Sequence, residues 1–132
     1  MAAADTTPLW LEVEIVGGIA VLRPRRSLIL QGDVAEEVAD YMTRLVNRGN
    51  PPRLVLNCLN VTMVSSLMLG KLVVLARKAR SARGQLAICS ASPAVESVFT
   101  VTRLVQVMPL YADETSAVHA LGGNGRPPGR SL

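Results

Sequence analysis

The chain is short of aromatic residues: one Trp, two Tyr and one Phe, 3% of 132 residues. Its core must then be aliphatic. The same shortage speaks against single-stranded nucleic-acid binding, which stacks bases on aromatic rings. Histidine occurs once, at His119, and cysteine twice, at Cys58 and Cys89, without a Cys-x-x-Cys spacing. One His and two Cys cannot close a four-ligand zinc site, and both cysteines sit in apolar runs as small buried hydrophobes. No metal and no cofactor is expected. There is no Gly-x-Ser-x-Gly elbow and no glycine-rich phosphate loop. A Ser-His-Asp triad would have to recruit His119 from beside a Gly/Pro-rich end, and nothing in the spacing favours it. The acidic residues are scattered, with no acid–base or metal pair. The chain is therefore read as a non-enzyme. No uncharged apolar run approaches the roughly 20 residues of a membrane span. Met1–Asp5 has neither a basic nor an apolar region of a signal peptide, so a cytoplasmic protein is expected.

Apolar residues make up 49% of the chain, and 14 basic against 10 acidic residues leave a net charge of +4. Such a composition folds. The length suits one domain with a core of its own. The basic excess is modest, without the dense stripe of a nucleic-acid domain, so no nucleic-acid partner is expected. Residues 1–8 are read as a flexible N-terminus, 9–121 as the domain, and 122–132, rich in Gly and Pro, as a disordered tail.

Trp10 to Val16 alternates polar and apolar residues and predicts a half-buried strand. Gly17-Gly18 is a hairpin signal, and Ile19 to Leu22 is the return strand, ended by Pro24. Arg23, Arg25 and Arg26 cluster there, as a solvated loop or as an anion or partner contact. After the short run Ser27 to Leu30, Asp33 is placed as the N-cap of a helix over Val34–Asn47, stopped by Gly49-Asn50-Pro51-Pro52. Arg53 to Leu59 is apolar almost throughout, as a central strand buried on both faces would be. Asn57 and Asn60 lie near its carboxyl end, the edge at which open α/β sheets meet ligands. A helix follows over Leu67–Arg83, with Gly84 as its stop and Arg77, Lys78, Arg80 and Arg83 near its C-terminus. Gln85 to Ser90 is another buried strand. Ser92-Pro93 opens a helix to about Thr102, Val105 to Leu110 is a last short strand or extended segment, and Asp113 caps a last helix. The fold class is α/β: a mixed central sheet of about five strands, an N-terminal antiparallel hairpin and about four helices. The helices are expected mainly on one face.

Ser65 and Ser66 stand at the junction of the central strand and the central helix. One serine suffices to cap a helix, so capping alone leaves the second unexplained, as a surplus residue or as one with another role. Gly70, which weakens a helix by about 1 kcal/mol relative to Ala, suggests a close backbone approach, either to the sheet or to a partner.

The segment Leu54 to Leu72, in its βαβ setting, resembles the core of a STAS domain, the fold of bacterial anti-sigma factor antagonists. Members typically read Asp-Ser-Ser-Gly-Leu-Gly at the start of this helix. With that Leu-Gly placed on Leu69-Gly70, the family's Asp falls on Ser65, its phosphorylatable serine on Ser66, its next serine on Leu67 and its first glycine on Met68. Gly84-Gln85-Leu86, Ser92-Pro93-Ala94-Val95 and Phe99 to Leu104 resemble later family stretches, so the resemblance runs from about Trp10 to Leu121. Asn57 also replaces a family acid, at the strand end. An alternative register makes Ser65 the acceptor.

The resemblance implies a protein-interaction module in a partner-switching pathway that regulates transcription. The partners it implies are an anti-sigma factor serine kinase of the ATP-binding type and a phosphatase. It further implies phosphorylation of Ser66 and a docking surface drawn from Ser65, Ser66, Leu67, Met68, Gly70, Lys71, Asn57 and Asn60. Two other readings stay open: a non-phosphorylated STAS scaffold component of a sensory assembly, and a small-ligand-binding α/β domain using the edge at Asn57 and Asn60.

Overall fold

The computed structural model describes residues 10–25 and 28–122. The expected flexible N-terminus lies outside the described residues, as does the expected tail apart from Gly122; so do Arg26 and Ser27. In chain order the elements are β1 (Leu11–Val16), β2 (Ile19–Pro24), β3 (Leu28–Leu30), α1 (Gly32–Arg48), β4 (Arg53–Asn57), β5 (Val61–Val64), α2 (Ser66–Ser81), β6 (Gln85–Cys89), α3 (Pro93–Val101), a 3-10 turn (Leu104–Gln106), β7 (Leu110–Tyr111) and α4 (Glu114–Leu121).

β1 and β2 pair antiparallel, from Leu11 opposite Pro24 to Val16 opposite Ile19. Gly17 and Gly18 join them at φ 58° and 83°. A two-residue turn that follows the strand twist needs positive φ at both positions, which glycine adopts without a steric penalty. The main sheet has the order β1-β2-β4-β6-β7, with β2, β4, β6 and β7 parallel. The apolar run at Arg53 thus becomes the middle strand. Side-chain alternation divides the interior in two. Leu22, Leu54, Leu56, Leu86 and Ile88 enter the large core under α1, α2 and α3. Ile19, Val21, Val55 and Cys89 point the other way and pack on Ala117 of α4.

Ser92 and Asp113 cap their helices as expected, accepting the Val95 and Ser116 N–H groups at 3.2 and 2.8 Å. Other expectations are corrected. Asp33 is not the cap of α1; it lies in the first turn, and Gln31 precedes the helix without a side-chain hydrogen bond. Val61–Val64, for which the sequence pattern predicts no element, is β5, paired parallel with β3 in a separate two-stranded sheet. The last strand is Leu110–Tyr111, not Val105 to Leu110. Val107 and Met108 donate back to the Leu104 carbonyl at 3.0 and 2.8 Å, which curls that segment into a turn. Finally, α2 ends at Ser81 and Arg83 takes the left-handed position at φ 67°. Gly84 is there for space: a Cβ on it would collide with the Pro52 carbonyl, which accepts the Gln85 N–H at 2.8 Å.

Candidate functional site

The two serines divide the available chemistry between them. Ser65 is extended (φ −74°, ψ 161°), the geometry of an N-cap. Its Oγ accepts the Met68 N–H at 3.1 Å, and its carbonyl accepts the Leu69 N–H at 2.9 Å. Ser66 is the first residue of α2 and is exposed. Its hydroxyl has no hydrogen-bond partner among the described residues. The first turn of α2 holds no acidic residue, so the positive end of the helix dipole is uncompensated there.

The neighbours of Ser66 differ sharply in access. Leu67 is 61% exposed, whereas Met68, expected on the docking surface, is 0% exposed and belongs to the core. The helical period explains this correction: Met68, Leu72, Leu75 and Ala79 share the inward face. Gly70 is exposed and a Cβ on it would meet nothing within 4 Å, so it makes no close approach to the sheet. Lys71 reaches back to Glu36 of α1 at 3.6 Å.

Asn57, half-buried, and Asn60, exposed, both spend their side chains on hydrogen bonds within the chain. The Asn57 amide donates to Glu114 at 2.9 Å and its carbonyl oxygen accepts the Leu59 N–H at 2.9 Å. The Asn60 amide donates to the Pro24 carbonyl at 3.1 Å. These bonds hold the turn between β4 and β5. Asn60 and Ser65 flank β5, roughly 15 Å apart at the rise of an extended chain. The structure therefore brings Ser65, Ser66, Leu67, Gly70 and Lys71 together and leaves the asparagines at the far end of β5. Two residues not singled out in the sequence are the exposed Leu59 (72%) and Met63 (49%), in that turn and on β5. Met63 lies in VTMV, an apolar run that continues up to the serines with no breaker, and Leu59 closes the apolar run from Arg53.

Arg23 is also committed internally. It donates to both carboxylate oxygens of Glu114, at 2.8 and 2.7 Å, and forms ion pairs with Glu12 at 3.1 Å and Glu14 at 2.8 Å. The hydrogen bond from Arg23 holds the Glu114 carboxyl below its ordinary range, against the opposing effect of burial, and the Asn57 amide adds to the lowering. Burial pushes the Cys58 thiol up to about 12 and raises Cys89 as well, so neither is a thiolate near neutral pH. Among the described residues no group of His, Cys, Asp and Glu could hold a metal, and no helix is long and apolar enough to cross a membrane. The grooves described lie beside Gly17–Gly18 and Pro51–Pro52 and between α1 and α2; none is walled by Asn57 or Asn60.

The profile of the STAS domain family matches residues 11–117. A curated relative, the anti-sigma F factor antagonist of Paenibacillus polymyxa, is 25% identical over 111 residues, covering 84% of this chain and 95% of its own. Among solved structures, an anti-sigma-factor antagonist (STAS) domain protein from Planctomyces limnophilus superposes with a TM-score of 0.74 at 20% identity, covering 84% of this chain and 97% of that one. The anti-sigma factor antagonist SpoIIAA in its unphosphorylated form gives 0.70 at 20% identity, over 86% of this chain and 96% of that one. The same Bacillus cell fate determinant in its phosphorylated form gives 0.63 at 17% identity, over 82% and 96%. With the profile spanning every element from β1 into α4, and the hairpin, mixed sheet and serine-led central helix in place, the chain belongs to the STAS domain family.

Proposed function

We propose that this domain is an anti-sigma factor antagonist-type interaction module whose partner is released by phosphorylation of Ser66. The observation that carries the reading is the unequal state of the two serines. Ser65 spends its hydroxyl on the Met68 N–H, and Ser66 presents its own to solvent. In this family the cap position holds an acid; a serine accepts the same backbone N–H, so the helix start survives the replacement.

The partner is a serine kinase of the ATP-binding type that also acts as an anti-sigma factor, and a phosphatase restores the binding form. Leu67 and Met63, both exposed, supply apolar surface for docking. Phosphate on Ser66 adds about −1.5 to −2 charges. In the free domain the Ser66 and Leu67 N–H groups and the helix dipole accommodate it. In a packed interface an unpaired, desolvated charge costs several kcal/mol, so the complex dissociates while the fold persists. The lost acid at Ser65 favours one second reading, a STAS scaffold component that is never phosphorylated. Incubation with the cognate kinase and ATP, followed by mass-spectrometric site mapping, separates the two. Modification at Ser66 supports the switch; an unmodified chain under conditions that modify a control substrate assigns the scaffold role.

A further inference from the structure

From Tyr41 through Val95 the chain contains no Asp or Glu, although Arg48, Arg77, Lys78, Arg80 and Arg83 all fall within that stretch. The residues just before it carry the opposite sign. Asp33, Glu36, Glu37 and Asp40 recur at i, i+3, i+4 and i+7 of α1, on one side of the helix, and all are exposed.

The fold turns this pattern into a surface. α1 and α2 pack against each other, and their C-terminal ends converge on Pro52, against which both Gly49 and Gly84 lie too close for a side chain. The α1–α2 face is thus acidic at the end where α1 begins and basic at the end where both helices finish. Helix dipoles account for which sign sits at which end. They do not account for how little of the charge is neutralised. Among the described residues Glu36 pairs with Lys71, but Glu37, Asp40, Arg77 and Lys78 have no ion-pair partner. Between the charged ends runs a groove of about 260 Å³ lined by Asp40, Thr43, Val74 and Lys78, and Val74 is 58% exposed.

We propose that this face is the contact between two copies of the chain. A second copy laid antiparallel across α1 and α2 sets the acidic end of each against the basic end of the other. Asp40 meets the other copy's Lys78, and the two Val74 side chains meet near the axis. One face bearing both signs at opposite ends is complementary to itself under a two-fold rotation, and such a contact closes as a dimer. The charge match is what selects this occupant. A nucleic acid or an anionic lipid surface would be repelled by the carboxylates on the same face, and the groove offers no aromatic residue to either. The inference does not depend on phosphorylation of Ser66.

The test is sedimentation of the full chain at low salt and at about 1 M salt, where screening shortens to ~3 Å. A dimer is expected at low salt, with its dissociation constant raised at least about tenfold in 1 M. Asp40→Lys and Lys78→Glu should each sediment as a monomer. An equimolar mixture of the two should form a heterodimer, because one contact then keeps its native signs and the other is restored with the signs exchanged. The double variant Asp40→Lys/Lys78→Glu should dimerise again, which keeps the test decisive if one single variant folds poorly by circular dichroism. A chain monomeric at every salt overturns the proposal, as does a dimer indifferent to both substitutions or two variants that fail to pair. A monomer that binds heparin or anionic vesicles through Lys78 also overturns it and assigns the basic end to a polyanion.

Discussion

The Met68 N–H donates to the Ser65 hydroxyl at 3.1 Å, and this one bond makes two adjacent serines chemically different. Ser65 closes an orphan donor of α2. Ser66, one residue on, exposes a hydroxyl that has no partner among the described residues, at the positive end of the helix. The switch proposed above rests on that difference.

Removing the cap should be felt in stability alone. Ser65→Ala is expected to destabilise the domain by about 1 kcal/mol and to lower the melting temperature by roughly 3–5 °C. Ser65→Asp, which restores the family's residue, should leave stability unchanged or slightly higher, since a carboxylate caps as well and favours the helix N-terminus. Thermal denaturation of the three proteins checks both. A Ser65→Ala protein as stable as the parent would show that the bond contributes nothing.

Leu67 and Met68 are adjacent but should behave in opposite ways. Leu67→Ser removes an exposed side chain and is expected to change stability by less than about 0.5 kcal/mol while weakening kinase binding at least tenfold. Met68→Ala should destabilise by about 2–5 kcal/mol through a core cavity. Chemical denaturation and calorimetric titration with the kinase distinguish them.

The end of α2 contains a correctable strain. Arg83 is held at φ 67°, where a residue with a Cβ is disfavoured by roughly 1–2 kcal/mol. Arg83→Gly is therefore expected to raise the urea midpoint by an amount worth about 1 kcal/mol, reduced by the entropy glycine adds to the unfolded chain. Gly84→Ala should do the reverse, by roughly 1–3 kcal/mol or more, because the added methyl meets the Pro52 carbonyl.

Glu114 makes stability depend on acidity. Its carboxyl titrates below the ordinary 4.5 in the folded protein, chiefly through the hydrogen bond from Arg23. A depressed carboxylate contributes stability that is fully present above the ordinary value and is lost as pH falls through the lowered one. Urea midpoints measured from pH 7 downward should therefore fall through that window, and Glu114→Gln should flatten the drop. At pH 7 the same substitution should cost about 1 kcal/mol, because Glu12 and Glu14 remain beside Arg23.

Much of the fold was legible because its signals are periodic or punctuated. WLEVEIV alternates, Gly17-Gly18 marks the turn, and Ser92-Pro93 and Asp113 announce helix starts that the structure keeps. The site was legible less completely. Which serine caps depends on where the backbone leaves the extended region, and neither serine makes a capping box, so spacing alone left both open. Met68 was assigned to the surface because a motif was read along the chain, whereas a helix sorts residues by angle. β5 was missed because a four-residue strand paired only with the three-residue β3 has no periodic length to reveal it. The commitments of Asn57 and Arg23 to Glu114 join residues far apart in sequence, and only the folded chain brings them together.

The most direct measurement is phosphosite mapping of the full chain after reaction with its cognate kinase and ATP, run beside Ser65→Ala and Ser66→Ala. The expected result is one phosphate on Ser66 in the parent and in Ser65→Ala, none in Ser66→Ala, and loss of kinase binding by the phosphorylated protein with its melting temperature within a few degrees. Phosphate on Ser65, or a Ser66-phosphorylated domain that still holds the kinase, would contradict it.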